Sequence, residues 1–83
     1  MKVGDLVELS AYGRRRKRAE WIAAGDVGLI VKLIEYSSPH YPTEYKVRWM
    51  KSTYTTRYSY IYLRQNTRAD LKYVKLKTTK GEQ

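Results

Sequence analysis

Val3-Gly4-Asp5-Leu6-Val7-Glu8-Leu9 and Gly25-Asp26-Val27-Gly28-Leu29-Ile30-Val31 follow one pattern, a Gly-Asp pair that opens a run dense in aliphatic residues. A Gly-Asp turn followed by such a run starts strands in small curved β-barrels. Between the two stretches lies Arg14-Arg15-Arg16-Lys17-Arg18, five consecutive basic residues. The aliphatic runs describe a scaffold, and the basic block describes a surface for a partner.

Working outward, Val3, Val7 and Leu9 share one parity while Glu8 takes the other, which predicts a first strand with one buried face; Leu6 breaks the alternation. Ser10 to Gly13 leaves the strand. Arg14 to Ala24 consists of good helix formers and closes on Gly25, predicting a helical turn or two that carries Trp21 and Ile22 inward and leaves the arginines in water. Val27 to Tyr36 is nearly continuously apolar, broken at Gly28 and Lys32. It reads as a bent strand buried on both sides, with Gly28 at a close approach or a bulge. Ser37 to Pro42 is a loop, since its two prolines exclude a central strand.

Beyond that loop, Tyr45, Val47 and Trp49 alternate with Lys46, Arg48 and Met50, giving a third strand with a core face and a basic face. Thr53 to Leu63 is rich in β-branched and aromatic residues and reads as a fourth. Its parity puts Tyr54, Tyr58, Tyr60 and Tyr62 on one face and Ser59, Ile61 and Leu63 on the other. Asn66 to Ala69 reads as a turn, and Asp70 to Leu76 as a last strand whose Leu71, Val74 and Leu76 close the core. The predicted core includes Val7, Leu9, Ile30, Val47, Trp49, Ile61 and Val74. The fold expected is mainly β: a five-stranded SH3-like small barrel over residues 1–76, with a short helical insertion in its first long loop and a polar tail over 77–83.

Composition narrows the function classes. Eighty-three residues make one domain with a modest core, which disfavours an enzyme with a deep, enclosed site. There is no cysteine, hence no disulfide, thiolate metal site or thiol nucleophile. The N-terminus lacks the apolar stretch of a signal peptide, and the run Val27 to Val31 is far short of a membrane span, so a soluble, cytoplasmic protein with no membrane partner is expected. A formal charge of +9, from 17 Lys and Arg against 8 Asp and Glu, points to a polyanionic partner, with nucleic acid first and an anionic membrane surface or acidic protein second; the alternative is a charge that only keeps the protein soluble. Nine tyrosines, two tryptophans and no phenylalanine imply many half-exposed rings whose polar ends reach water or a partner.

Lys2, Gly4-Asp5, Val7, Leu9, Gly28-Leu29-Ile30 and Tyr45-Lys46-Val47-Arg48-Trp49 resemble the KOW-type SH3-like barrels of ribosomal proteins and NusG-type transcription factors. The ending Arg68-Ala69-Asp70-Leu71-Lys72-Tyr73-Val74 is similar to that of small SH3-like proteins of tailed phages of marine cyanobacteria, in which case the compartment would be the host cytoplasm. The likeness runs from Val3 to Leu76. It implies binding of RNA or of a protein partner near the first long loop, here Tyr12 to Ala24. That loop departs from the family pattern, carrying an arginine-rich, helix-prone insertion in place of a short glycine-containing turn.

Two groups of residues are candidate sites. Arg14, Arg15, Arg16, Lys17 and Arg18 would neutralise phosphates and release counterions, and each arginine can hold a phosphate through paired hydrogen bonds. The alternative is a solvated basic helix face paired in part with Glu20. The second is the tyrosine ladder Tyr54, Tyr58, Tyr60 and Tyr62, interleaved with Arg57 and followed by Arg64; Tyr58 and Tyr60, with Arg48 and Arg57 in support, could stack on bases of a single strand. The alternative there is cross-strand packing or an edge that pairs with another chain. His40 lies between prolines without companion ligands, so no metal and no cofactor is expected. No nucleophile–base spacing or paired carboxylates appear, and an enzyme is not expected. The expected function is nucleic-acid binding, RNA or single-stranded DNA before duplex; the alternative is a phage-type accessory or adaptor protein that binds an acidic host or virion protein.

Overall fold

The computed structural model describes residues 1–53 and 59–77. In chain order the elements are β1 (Leu6–Leu9), α1 (Ala11–Arg14), a 3-10 turn (Lys17–Ala19), β2 (Gly28–Ile34), β3 (Glu44–Trp49), β4 (Tyr60–Arg64), α2 (Arg68–Leu71) and β5 (Val74–Leu76). The strands form one five-stranded antiparallel sheet in the order β4-β3-β2-β1-β5. It curls into a half-barrel consistent with an SH3-like fold, and β4 and β5 remain edge strands that do not pair with each other.

Both Gly-Asp pairs make the turns expected of them. Gly4 and Gly25 have φ of +98° and +83°, a region that side-chain-bearing residues rarely adopt. All seven residues expected in the core are buried, joined by Ala19, Ile22, Tyr45 and Leu63. They occupy one parity of each strand, so the concave face is apolar and the convex face carries Glu44, Lys46 and Arg48 from β3. Trp49, at 1% exposure, is the largest side chain at the centre.

Four expectations change. The sequence of β2 predicts burial on both faces, but Lys32 and Leu33 are exposed. The register steps from Ile30↔Val47 to Lys32↔Lys46, so Val31 is an extra residue and the alternation resets there. The bulge sits at Val31, whereas Gly28 marks the close approach: a Cβ there would lie 2.7 Å from Val47 Cγ1 and 3.1 Å from Val7 Cγ2. The first strand is shorter than expected, starting at Leu6, and Val3 is 53% exposed. The last strand is also shorter. Arg68–Leu71 is helical, with Leu71 N–H bonded to Thr67 C=O and Lys72 N–H to Arg68 C=O. Leu71 still packs against the core, but Leu76 is 53% exposed. Finally, the strand read over Thr53 to Leu63 is observed at Tyr60–Arg64; the calls on Tyr54, Arg57 and Tyr58 lie outside the described residues.

The insertion is helical, as its composition predicts, but begins earlier. Ser10 caps α1, its Oγ accepting from Gly13 N–H at 3.0 Å. A 3-10 turn follows at Lys17–Ala19, after which Ile22 is buried and Trp21 packs half-buried against the core.

Two substitutions measure this packing by urea unfolding followed by circular dichroism. Trp49→Ala is expected to cost about 3–5 kcal/mol, a large part of the stability of a domain this size. Gly28→Ala, which adds one methyl among Val7, Val47 and Trp49, is expected to cost about 1–3 kcal/mol through overpacking.

Candidate functional site

Trp49 N–H bonds Ser59 C=O and Gln65 N–H bonds Thr43 C=O, so odd-numbered residues of β4 direct their backbone groups toward β3. Tyr60, Tyr62 and Arg64 therefore direct theirs toward the edge of the sheet. An uncapped edge carries unsatisfied polar groups and invites pairing with another chain. Here an arginine and an aspartate cover it. Arg18 Nη2 donates to the Tyr62 carbonyl, and Arg64 N–H donates to Asp70 Oδ2 at 2.8 Å. The same carboxylate accepts Arg64 Nε at 3.2 Å and Arg18 Nη1 at 3.4 Å. Asp70 is 4% exposed. Burial pushes its pKa up, but the hydrogen bonds from Arg64 and the charges of Arg18 and Arg64 outweigh that and leave it below the ordinary carboxylate value.

A second buried carboxylate fixes the far end of the insertion. Asp26 accepts Val27 N–H at 2.7 Å, Lys51 N–H at 3.0 Å and Ser52 N–H at 2.7 Å. Ser52 Oγ in turn accepts Ala23 N–H at 2.7 Å. Burial raises the pKa of Asp26, and the hydrogen bonds from Ser52, Lys51 and Val27 bring it below its ordinary value. At the near end Ser10 Oγ donates to the Lys72 carbonyl. The basic segment is thus strapped to the barrel at its start, middle and end.

This strapping divides the basic block. Arg14, Arg15, Arg16 and Lys17 are exposed. The Arg16 guanidinium lies 4.1 Å over the Tyr12 ring, which meets Tyr73 edge-on at a centroid distance of 5.6 Å. Glu20, the acid that could have paired with the block, makes no ion pair among the described residues; the ion pairs found there are Arg18–Asp70, Arg64–Asp70 and Lys75–Glu8. Arg18 differs from its neighbours. It spends its guanidinium on Asp70 and Tyr62 and lies 5.3 Å from the Tyr73 ring centroid, so it positions the loop.

The remaining site residues lie on the convex face. Arg48 pairs in register with Tyr60, Lys46 with Tyr62 and Glu44 with Arg64. Lys46 Nζ reaches diagonally to sit 4.2 Å over the Tyr60 ring. Beside this face, Lys17, Arg18, Glu20 and Trp21 of the insertion meet Tyr60, Ile61 and Tyr62 of β4 across an open groove. The Trp21 indole N–H donates to the Arg18 carbonyl at 3.0 Å, which fixes the ring at the groove wall. The structure therefore brings Lys17, Tyr60 and Arg48 together, with Arg14 to Arg16 on the same strapped loop. Sequence reasoning placed Tyr62 in the ladder with Tyr60 but missed Trp21 and Lys46 as site residues. The parity shared by Lys46 with Arg48 carried that signal; nothing local could place Trp21 against β4. Arg57 and Tyr58 lie outside the described residues.

Among the described residues no group of three or more His, Cys, Asp or Glu is placed to hold a metal ion, and no helix is long and apolar enough to cross a membrane. Comparison with protein-family models, curated proteins and solved structures gave no match.

Folding lowers the pKa of Asp70 and Asp26 below 3.8. Their contribution to stability is therefore complete above the unfolded value and lost as pH falls through the lower folded values. Asp70→Asn is expected to cost about 1–3 kcal/mol at pH 7 and to flatten the fall in stability below about pH 4. Urea midpoints measured between pH 2 and 7 check both.

Proposed function

We propose that the chain is a KOW-type, non-enzymatic module that binds nucleic acid, RNA or single-stranded DNA in preference to duplex, chiefly through the phosphate backbone. The observation that carries this reading is the surface on which cations alternate with rings: Lys17 and Trp21 of the insertion beside Tyr60 and Tyr62 of β4, with half-buried Lys46 and exposed Arg48 in register on β3. Dense like charges on a short loop repel one another, and a phosphate chain relieves that repulsion while releasing its own counterions. Arg14, Arg15, Arg16 and Lys17 are the phosphate contacts, and Arg48 adds charge at the sheet. Tyr60, whose ring carries Lys46, lines the groove in which a base would stack. Arg18 serves by holding the loop in place.

One property supports a preference for single strands. The groove is walled by ring-bearing side chains that suit stacking on bases, and the bases of a duplex are already stacked on each other.

Fluorescence anisotropy with labelled oligonucleotides at several salt concentrations tests this. Replacing Arg14, Arg15 and Arg16 by glutamine is expected to weaken binding to all sequences alike and to flatten the log–log salt slope by about 2 on a single strand, slightly more on a duplex. Wild-type protein with no affinity for RNA or DNA at low ionic strength overturns the reading, and acidic protein partners become the next candidates.

A further inference from the structure

A second recess lies on the other side of Tyr62. Its walls are Tyr36, His40, Tyr41 and Pro42 from the β2–β3 segment and Tyr62 and Arg64 from β4, with Arg18, Glu44 and Asp70 completing it. It encloses about 620 Å³, within the range of small-ligand sites. Its rings are exposed to solvent: Tyr41 by 65%, Tyr36 by 45% and Tyr62 by 38%. Tyr36 is nonetheless held in place, its hydroxyl donating to Glu44 Oε1 at 2.7 Å, and the Tyr41 ring leans on it at a centroid distance of 5.8 Å and 53°.

The charges of the recess are specific. Asp70 is spent on Arg18 and on Arg64 N–H and Nε. Glu44 accepts the Tyr36 hydroxyl at Oε1 and keeps its negative charge. Arg64 uses only Nε toward Asp70, its side chain is 52% exposed, and its two terminal amino groups have no partner among the described residues. Those groups are the paired donors that suit a phosphate. Arg18 and Arg64 balance the charges of Asp70 and Glu44, and ring-bearing walls beside the free guanidinium donors of Arg64 match a planar, uncharged group joined to an anion.

We propose that this recess is a subsite for one unpaired nucleotide, its base stacking on Tyr41 and its phosphate held by Arg64. The proposal rests on the nucleic-acid reading above and extends it to residues that reading does not use. Tyr62 and Arg18 line this recess and the Trp21–Tyr60 groove alike, so a single strand crossing the β4 edge meets both in succession. A paired base cannot enter, because both its faces are already stacked, and the recess is therefore a source of selectivity for single strands. A proline-rich peptide also favours ring-lined grooves, but it offers no anion for Arg64 and gains nothing from the +9 charge of the chain.

Tyr41 is the side chain to test, since it is the most exposed ring of the recess and lies outside every strand. The probes are a fluorescein-labelled oligouridylate of about ten nucleotides and an RNA duplex of the same length. Tyr41→Ala is expected to weaken binding of the oligouridylate by about 5- to 150-fold, with the duplex affinity and the salt slope unchanged. Tyr41→Phe, which keeps the ring, is expected to bind like wild type. Unchanged oligouridylate affinity in Tyr41→Ala, with the Arg14, Arg15 and Arg16 glutamine variant still impaired, overturns the subsite and leaves the proposed function standing. Equal losses on single strand and duplex overturn the subsite in the same way. Wild-type protein that binds neither probe removes both, as does Tyr41-dependent binding of a proline-rich peptide without binding of either oligonucleotide.

Discussion

The carboxylate of Asp70 holds together the side of the half-barrel that its strands leave open. β4 and β5 are the two edges of the sheet, and α2 lies between them in the chain. From α2, Asp70 reaches the backbone and side chain of Arg64 on β4 and the guanidinium of Arg18 from the insertion. A buried acid with two cationic partners and a backbone donor is desolvated and compensated at once, and removing the acid leaves both cations without their shared complement. The contact therefore fixes three otherwise separate segments relative to one another.

Its consequences extend to the surface. Because Arg18 is tied to Asp70 and to the Tyr62 carbonyl, the loop carrying Arg14 to Lys17 cannot swing freely away from β4. Asp26 does the equivalent work at the end of the insertion, gathering Val27, Lys51 and Ser52, while Ser52 holds Ala23. Two acids thus stabilise a segment of dense positive charge from beneath, without spending the cations at its tip. A preorganised loop gives up less conformational entropy on binding than a floppy one, which favours affinity from a small interface.

The two grooves flanking Tyr62 share a design. Each sets rings from a connecting segment, Trp21 in one and Tyr36 and Tyr41 in the other, against tyrosines projecting from β4. The sheet supplies rigid placement and the loops supply shape, the division of labour common to binding sites on small scaffolds. In the proposed reading, cations attract the polyanion over distance and the rings discriminate between stacked and unstacked bases.

Much of the scaffold was legible in the chain itself. A period of two placed Val7, Leu9, Val47, Trp49, Ile61 and Leu63 on one face because alternation is a property of a single strand. The turns at Gly4 and Gly25 were equally local, since they depend on the φ freedom of one residue. Tertiary structure decided the rest. The bulge at Val31 appears only when β2 is laid against β3. The helix at Arg68–Leu71 replaces the start of the expected last strand, in a segment where Asp70 finds its donors on β4 and on the insertion. Arg18 is indistinguishable from its neighbours in sequence, and Asp70 lies 52 residues away. Only the curl of the sheet brings the two together, so the chain by itself announced a basic surface, while the fold chose which of its arginines would hold the structure and which would face solvent.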